Sequence, residues 1–528
     1  MTRYRDDARR SDPARTSAAM TAETEGALRA HLLRTDGQED ICLATYRPST
    51  GATRRTALLR RVHLPEPGER EVHGNATISG EYVLRVAAAA ASDSDGVVLL
   101  HSHPGGRGWQ AMSGPDRDTE SSYANLVREI TGLPLVGMTL AGRDRAWSAR
   151  HWDHGVAGDI APTYSENVRV LGPELQVTWN DQIVPVPARP PSMIRSVASW
   201  GPRRHADLTR RSVLVVGLGS VGLDITVRLA ATGVTRLGLM DFDTIKQHNL
   251  DRLIGAAASD AWLRRSKLDL ARRLARENAT AITPVIDTFD LSICEPGGLA
   301  TALDYDQVIC CVDRSWPRAV LNLLAYRDYI PVIDGGIAID VFADGSGMRN
   351  ATWRSHVIYP GRPCMSCIGQ LDLGAVAADQ SGALDDPSYI TGNAEPDHPD
   401  AGPDATEESA NVAVLSVSAA AGLLAQYVSL NVAPGGLGEP GPLQYLLSTH
   451  TLEHLNAARR PACPVETFTG LGDPAMRMTG QHPAAEQERQ YRNSRSLPLG
   501  LRRAQDIDTA LSWARARLIA YARRQLNL

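Results

Sequence analysis

The stretch Ser212-Val-Leu-Val-Val-Gly-Leu-Gly-Ser-Val-Gly222 decides how most of the chain is expected to fold. Its apolar first half predicts a buried strand, and glycines spaced G-x-G-x-x-G follow before a helical pattern begins. A strand, a glycine-rich turn and a helix form the first unit of a nucleotide-binding sheet, in which the helix N-terminus faces phosphates. The motif does not name the nucleotide, since NAD(P) is its commonest ligand.

Strand and helix patterns alternate downstream of this stretch. The strands are continuously apolar, as expected for strands covered on both faces. This alternation predicts an α/β fold with a doubly wound, mostly parallel sheet. The predicted elements are the strands Leu237–Asp241, Gln307–Val312 and Pro331–Asp334 and the helices Ser266–Glu277 and Pro317–Arg327.

Charged and polar residues at the ends of these strands narrow the choice of nucleotide. An acid after the second strand suits ribose hydroxyls, and an arginine and a lysine beyond it suit a triphosphate. A further aspartate at a strand end suits Mg²⁺, which binds carboxylates together with phosphates. These residues are Asp241, Asp243, Asn249, Arg252, Lys267 and Asp313.

This order of residues resembles the ThiF/MoeB and ubiquitin-activating-enzyme family over about residues 190–470. The resemblance implies ATP- and Mg²⁺-dependent adenylation of the C-terminal glycine of a ubiquitin-like or sulfur-carrier protein. It also implies a homodimer, with Arg195 reaching into the partner subunit. In the implied site Gly217, Gly219 and Gly222 form the turn, Asp241 holds ribose, Asn249, Arg252 and Lys267 contact phosphates, and Asp313 holds Mg²⁺.

A second motif, His101-Ser-His103-Pro followed by Ser113-Gly-Pro-Asp116, lies in the N-terminal part. Two histidines at a strand end and a carboxylate from the next helix give three ligands, the usual number in a catalytic zinc site. Zinc-bound water then needs a base, and Glu39 opens a strand that is expected to lie beside the histidines.

The second motif resembles the JAMM (JAB/MPN) metalloproteases, which cleave after ubiquitin or ubiquitin-like proteins. The resemblance implies that His101, His103 and Asp116 bind Zn²⁺, that Glu39 is the general base and that Ser113 donates a hydrogen bond. The interval before Asp116 is longer than the family's usual spacing, which leaves Asp118 as an alternative ligand.

The C-terminal part departs from its family in its cysteines. Activating enzymes usually carry two C-x-x-C pairs, whereas here Cys364 and Cys367 are followed only by Cys463. Three hypotheses stay open: a structural zinc site with a further ligand, a thioester nucleophile at Cys367 or Cys364, or a relic without chemistry. The candidate further ligands are His450, His454 and Glu466, and the candidate loop acceptors are Ser381 and Ser388.

Composition places the chain among ordinary soluble proteins. Of 528 residues, 43% are hydrophobic and 22% charged, with a net charge of −5, which argues against nucleic acid as the main partner. The apolar helix predicted at 411–428 is interrupted by Ser416, Ser418 and Gln426, so we interpret it as core and expect no membrane span. Seven cysteines, an odd number, favour a cytoplasmic protein.

The expected organisation has five parts. Two domains, JAMM-like and ThiF-like, are flanked or joined by segments without a predicted core. The bounds are 1–25 for a disordered N-terminus, 26–160 for the first domain, 161–191 for a linker, 192–470 for the second domain with a mobile acidic loop at about 370–409, and 471–528 for a tail with a docking helix.

The leading hypothesis is a bifunctional enzyme of a bacterial-type ubiquitin-like modification system, which activates a modifier, processes or removes it, and works with a conjugating enzyme. One alternative is activation of a sulfur carrier for cofactor or cysteine biosynthesis. Another is a non-catalytic scaffold that binds a ubiquitin-like protein.

Overall fold

A computed structural model describes residues 15–154, 160–344, 346–383 and 412–494, together with Ile507, Leu511, Ala514, Leu518 and Tyr521. The chain divides into two compact units at Pro185, and the short segments Arg327–Tyr329 and Phe468–Ala475 belong to the first of them.

The first unit is built on a sheet of nine strands and three helices. Its strand order is β11-β10-β1-β3-β2-β6-β7-β8-β9, and β4 and β5 form a separate hairpin. The strands are β1 Arg15–Thr21, β2 Ile41–Thr50, β3 Arg54–His63, β4 Arg70–His73, β5 Asn75–Ile78, β6 Gly96–His103, β7 Leu135–Ala141, β8 Trp147–His154, β9 Ile160–Tyr164, β10 Asn167–Leu171 and β11 Gln176–Trp179; the helices are α1 Ala22–Leu32, α2 Gly80–Ser92 and α3 Gly114–Thr131.

Alternation along β6 separates the core of this unit into two layers. Val98 and Leu100 pack in a cluster with the α1 residues Leu28 and Leu32. Val97 and Leu99 point to the opposite face, in a cluster with residues of α2 and α3. Because side chains alternate in a strand, His101 continues the second face and is directed towards α3.

The prediction of disorder for residues 1–25 is wrong for residues 15–25. Strand β1 is interior, and pairs in parallel with β10 on one side and β3 on the other. Its Ala18, Ala19 and Met20 are fully buried. Alanine is a weak strand signal, and the parallel partners that bury it lie far away in sequence.

The prediction of a linker at 161–191 is also wrong, since β9, β10 and β11 occupy 160–179. All of Asn167–Leu171 is buried, and it pairs with β1 and β11. Pro162 lies in β9, an edge strand of the sheet, Pro173 lies between β10 and β11, and the remaining prolines of the predicted linker follow β11. The first unit therefore extends beyond the predicted bound at residue 160.

The second unit contains the predicted α/β sheet. Its strand order is β14-β13-β12-β15-β16-β17-β18-β19, and the first five strands run parallel, which confirms the α/β class and the parallel arrangement. The strands are β12 Ser212–Val216, β13 Arg236–Met240, β14 Val285–Phe289, β15 Gln307–Cys310, β16 Val332–Val341, β17 Met348–Ile358, β18 Leu443–Leu446 and β19 Thr451–His454.

Ten helices of the described chain belong to the second unit in whole or in large part. They are α4 Ile194–Trp200, α5 Pro202–Arg210, α6 Ser220–Thr232, α7 Ala258–Trp262, α8 Lys267–Asn278, α9 Pro296–Ala302, α10 Ser315–Arg327, α11 Leu373–Gln380, α12 Ala413–Val432 and α13 Pro483–Ser494. The antiparallel strands β17 to β19 were not predicted, because their polar residues hide the apolar pattern.

Helix α12 is long and apolar enough to cross a membrane by length and composition, and half of its most apolar window is buried. Its buried polar side chains bond to the same unit. Gln426 donates to the Gly441 carbonyl at 2.7 Å, and Asn431 donates to Gln307 Oε1 at 3.1 Å. These contacts agree with the interpretation as a core helix.

Two further predictions concern segments that the structure describes only in part. The loop predicted at 370–409 contains helix α11, and its residues 384–409 lie outside the described residues. Of the predicted docking helix, five positions are described as helical, and the apolar ones among them are exposed, so docking is not confirmed.

Candidate functional site

A cavity of about 740 Å³ opens at the carboxyl ends of the parallel strands of the second unit. Ligands bind at this edge in doubly wound sheets, because loops and helix N-termini meet there. Every residue predicted to bind the nucleotide lines the cavity except Gly222. The lining ones are Gly217, Gly219, Asp241, Asp243, Asn249, Arg252, Lys267 and Asp313.

Two glycines of the turn are required by backbone geometry. Gly217 has φ of 88°, and a Cβ there would lie 2.7 Å from the Cys311 carbonyl oxygen. A Cβ on Gly222 would lie 2.0 Å from the Gly217 carbonyl oxygen. Gly222 therefore contributes by letting α6 begin close under the turn, which explains its place outside the lining.

Asp241 ties the glycine turn to the end of β13. Its carboxylate accepts hydrogen bonds from the Leu218 amide at 2.6 Å and the Asp243 amide at 2.7 Å. Burial raises the pKa of Asp241, and the nearby Lys267 charge opposes the shift. The carboxylate thus fixes the backbone around the cavity that it lines.

Lys267 neutralises the acidic pair from the first turn of α8. Its ammonium lies 2.7 Å from an oxygen of Asp243. Burial alone would raise the pKa of Asp243, but the Lys267 charge and hydrogen bond bring it below the ordinary value. The cavity therefore holds a half-buried ammonium, a group that can bind an anion.

The segment after β13 supplies further polar groups. Asn249 Oδ1 accepts from the Lys246 amide at 3.0 Å, and Arg252 donates to the His248 carbonyl at 2.6 Å. Lys246 and His248 also line the cavity, although the sequence did not single them out. Their position just before Asn249 and Arg252 could have indicated that they lie at the same site.

The sequence analysis also did not identify the residues on the far side of the cavity. Here β16 and β17 extend beyond β15, and residues 335–339 line the wall together with Arg318 and Arg354. Arg318 donates to the carbonyls of Val312 at 3.0 Å and Gly335 at 3.1 Å. No local sequence motif indicates these residues, because the pairing of β16 with β17 brings them together.

A C-terminal segment completes the wall. His482 lines the cavity and stacks on Trp316 at a ring-centroid distance of 5.2 Å. Helix α13 follows it, and Glu488 there accepts a hydrogen bond from Thr244 at 2.6 Å. Arg489 also pairs with Glu295. The cavity is thus closed by residues far outside the recognised nucleotide motif.

Comparison with known proteins identifies the second unit. Residues 193–465 match the ThiF family, a match that covers more than half of the chain. The chain belongs to the ThiF family. The match ends before His482 and α13.

Curated relatives of this ThiF-family chain match it over about 30% of its length. It is 32% identical over 164 residues to the molybdopterin-synthase adenylyltransferase of Escherichia coli (strain K12), covering 30% of this chain and 59% of the relative. It is 28% identical over 169 residues to the adenylyltransferase and sulfurtransferase MOCS3-1 of Zea mays, covering 32% of this chain and 33% of the relative. Among solved structures, Escherichia coli MccB with ATP has a TM-score of 0.40 at 18% identity, covering 52% of this chain and 74% of that one. The chain therefore spans less than two thirds of the curated relatives.

The first unit of this ThiF-family chain brings His101, His103 and Asp116 together. Their ligand atoms all lie within 4.8 Å of one another. Each histidine Nε2 is 3.5 Å from an oxygen of Asp116. Asp116 is the third residue of α3, so the helix start presents this carboxylate, rather than Asp118, to the end of β6.

Ser113 and Glu39 occupy the surroundings of this cluster. Ser113 caps α3: its Oγ accepts from the Asp116 amide at 3.2 Å, and its own amide donates to Asp116 at 2.8 Å. Glu39 precedes β2, which begins at Ile41 and not at Glu39, and Ile41 pairs with His101. The buried Asp40 fixes this turn by accepting from Arg70 at 2.6 Å.

Electrostatics couple the three residues. The hydrogen bond that His103 donates to Asp116 is the main cause that raises the pKa of His103, and the Glu39 charge adds to it. Burial raises the pKa of Asp116, but hydrogen bonds from His101 and His103 hold it far below its ordinary value. Two imidazoles and an ionised carboxylate form a donor set that fits Zn²⁺.

The three cysteines also converge. Cys364 Sγ lies 3.6 Å from Cys367 Sγ and 3.5 Å from Cys463 Sγ. Zn–S bonds of about 2.3 Å in a tetrahedron place sulfurs about 3.8 Å apart, so the set fits zinc. Burial raises the pKa of Cys364 to about 12, whereas hydrogen bonds led by the Arg460 amide lower the pKa of Cys367 against its burial.

The other predicted residues do not join these clusters. Within the described chain, His450 bonds to the Tyr445 hydroxyl at 2.8 Å, and Glu466 pairs with Arg459 at 2.6 Å. His454 and Ser381 are exposed, as is Arg195 on α4, which does not line the cavity of its own chain. Ser388 lies outside the described residues.

Proposed function

We propose that the cavity of the second unit binds ATP with Mg²⁺ and adenylates the C-terminal glycine carboxylate of a small ubiquitin-fold partner. The observation that supports this is the convergence on one cavity of residues scattered from Gly217 to Asp313. Carboxylates for ribose and metal, and cations for phosphate, are the groups that this chemistry needs.

The carboxylate of the partner is already an anion, so the protein's contribution is positioning and charge neutralisation. The amides of the glycine turn and the cations Lys267 and Arg252 would contact phosphate oxygens. Asp313, at the end of β15, would hold Mg²⁺, which neutralises phosphate charge when bound. The products are an acyl-adenylate and pyrophosphate.

The relatives favour a sulfur carrier as the partner. One is named a molybdopterin-synthase adenylyltransferase, and another an adenylyltransferase and sulfurtransferase, a name that joins adenylation to sulfur transfer. A modifier that is conjugated to other proteins through a conjugating enzyme is the competing proposal. In either case we propose a homodimer, because the exposed Arg195 is then available to a partner subunit.

ATP–pyrophosphate exchange tests the adenylation. The purified full chain is mixed with labelled pyrophosphate, ATP, Mg²⁺ and a sulfur-carrier protein ending in Gly-Gly, or the same protein with the last glycine removed. Exchange is expected only with the intact tail. Equal exchange with both proteins, or none with any Gly-ended partner, would contradict the proposal.

For the first unit we propose a zinc-dependent peptidase of the JAMM type, which trims or removes the same partner. The convergence of two imidazoles and a carboxylate supports it. His101, His103 and Asp116 would hold Zn²⁺, which supplies a nucleophilic water at neutral pH and polarises the scissile carbonyl. Glu39 would accept a proton, and Ser113 would donate a hydrogen bond.

Metal analysis combined with cleavage tests this second proposal. A Gly-Gly-ended carrier with a short C-terminal extension is the substrate, and zinc content is measured independently of activity. Cleavage after glycine by the wild type, and intact zinc without cleavage in Glu39→Gln, are expected. A Glu39→Gln variant that still cleaves at the wild-type rate would remove Glu39 from the mechanism.

The cysteine cluster is proposed as a second, structural zinc site with three protein thiolates. Contact among three sulfurs favours this over a thioester nucleophile, which requires one accessible thiol. A non-catalytic scaffold is the least supported alternative. The residues needed for adenylation are present in the second unit, and those needed for zinc-dependent cleavage are present in the first.

A further inference from the structure

We propose that Arg354 is a positioning residue that holds the attacking carboxylate of the partner's tail, which binds in extended form along the free edge of β16. This inference rests on the proposed adenylation and names how the acceptor is recognised. It arises from the far side of the cavity, which carries none of the predicted nucleotide residues.

Arg354 is a half-buried cation whose guanidinium is in direct contact with no carboxylate of the described chain. Its backbone pairs with β16 and β18, but its side chain makes no hydrogen bond and no ion pair within 4 Å in the part of the chain that the structure describes. Burial lowers the pKa of its guanidinium and the Arg318 charge adds to this shift, while the Asp334 charge, shared with Arg318, opposes it. Because the side chain lines the cavity and none of its N–H groups is bonded within the described chain, these donors are available to an anion in the cavity.

Alternation along β17 directs Arg354 into the cavity. Its neighbour Trp353 points the other way, where its indole donates to Ser418 of α12 at 2.7 Å. Arg354 pairs with Gly336 of β16, and a Cβ on Gly336 would lie 2.7 Å from the Arg318 guanidinium. The glycine thus leaves room for two guanidinium groups on one wall.

The Arg318 side chain is bonded to groups of the protein, whereas the Arg354 side chain makes no hydrogen bond within the described chain. Arg318 donates to two backbone carbonyls and lies 3.8 Å from the buried Asp334. Its charge is therefore committed to holding the ends of β15 and β16. The capacity to bind an external anion belongs to Arg354.

The free edge of β16 supplies the second part of the site. Its pairing with β15 covers Val332 to Asp334 and then stops, while its pairing with β17 continues to Val341. Residues 335–339 line the cavity along this edge. An unpaired strand edge is a template for an extended peptide, which gains main-chain hydrogen bonds by adding as a strand.

Strand spacing separates this site from the nucleotide. Arg354 is on β17, three positions from the glycine turn at β12 in the strand order, or about 14 Å at about 4.8 Å per strand. The ribose and phosphate residues lie over β12 and β13. A tail along β16 would bring its carboxylate to the α-phosphate from the opposite side.

The step balances without a further reactant. A carboxylate oxygen forms a bond to the α-phosphorus, and the bond from that phosphorus to the bridging oxygen breaks. The electron pair leaves with pyrophosphate, whose charge Mg²⁺ held by Asp313 would neutralise. Arg354 orients the carboxylate before attack and exchanges no proton.

Peptide binding to the full chain tests the assignment directly. The probes are a fluorescent octapeptide ending in Gly-Gly with a free carboxylate, and its C-terminal amide, in the presence of a non-hydrolysable ATP analogue. We expect the wild type to prefer the acid at least about tenfold, as one charge-assisted hydrogen bond predicts. Arg354→Gln should lose that preference, Arg354→Lys should restore part of it, and the exposed Arg349→Gln, on the same strand, should keep it.

Nucleotide binding and exchange separate the possible failures. The affinity for a fluorescent ATP analogue should be unchanged in Arg354→Gln, while the KM for the carrier protein in exchange rises. Reduced ATP affinity with unchanged acid preference would assign Arg354 to phosphate and overturn the inference. If the wild type catalyses exchange but shows no preference for the acid peptide, the Arg354 inference is wrong and the proposed adenylation stands. If there is no exchange, both the proposed adenylation and the Arg354 inference are wrong.

Discussion

The two candidate sites are assembled in opposite ways. In the first unit three ligands come from adjacent elements, the end of β6 and the start of α3, and converge within 4.8 Å. In the second unit the cavity collects residues from Val216 to His482 across several strand ends. A compact local site is determined by a short motif, whereas a cavity at a sheet edge depends on topology.

This difference predicts how each site responds to mutation. The compact cluster should fail as a whole when one ligand is lost, because three donors leave no redundancy. In the cavity, many side chains share substrate binding. A single substitution there should therefore weaken the binding of the nucleotide, the metal or the acceptor, but not of all three.

The largest expected effect is on adenylation. Asp313→Ala removes the carboxylate proposed to hold Mg²⁺ and should reduce ATP–pyrophosphate exchange by about 10³-fold, a loss typical of electrostatic groups in an active site. Zinc content and tail cleavage should stay at wild-type values. A parallel loss of both activities in a folded variant would show that the two sites do not act separately.

A similar loss is expected from the compact cluster. His103→Ala should remove zinc from the first unit, measured by atomic absorption, and reduce tail cleavage by about 10²-fold or more. Asp118→Asn is the matched control, since Asp118 lies on the same helix outside the cluster. If Asp118→Asn lost the metal and His103→Ala kept it, the assignment of ligands would be wrong.

The cysteine cluster distinguishes zinc from thioester chemistry. If zinc is bound, Cys364→Ser, Cys367→Ser and Cys463→Ser should each lose one equivalent and unfold at lower temperature. After chelation, iodoacetamide should modify Cys367 first, because the pKa of Cys367 is lowered and that of Cys364 is raised to about 12. A DTT-sensitive adduct lost only in Cys367→Ser would favour the thioester instead.

Sequence analysis located the residues that lie in short motifs close together in the chain. The glycine turn and the strand ends Asp241 and Asp313 lie at the predicted cavity, and the histidine motif forms one cluster. It failed where partners are distant. Strand β1 is hidden because alanines are buried only by β3 and β10, and Arg354 joins the cavity through the pairing of β16 with β17. His482 enters by stacking on Trp316, which no spacing rule anticipates.

The smallest expected effect compares one buried histidine from each unit. Burial lowers the pKa of His151 to about 3 in the first unit and of His356 to about 4 in the second, from 6.5. Between pH 6.5 and these values the unfolded chain binds more protons than the folded chain, so stability is lost as the pH falls. At pH 5 each histidine should cost roughly 2 kcal/mol relative to pH 7.5, since both folded pKa values lie below 5.

Urea unfolding at pH 7.5 and pH 5 measures this loss. His356→Leu and His151→Phe each remove one titration, so the difference in unfolding free energy between the two pH values should shrink by about 2 kcal/mol for the affected transition. The exposed His454→Leu should leave the difference unchanged. The two buried histidines should diverge only below pH 4, where His356 protonates in the folded chain while His151, with the lower pKa, continues to cost stability. An unchanged pH difference in His356→Leu would mean that its imidazole is solvated, and that the second unit is less closely packed around β17 than the first is around β8.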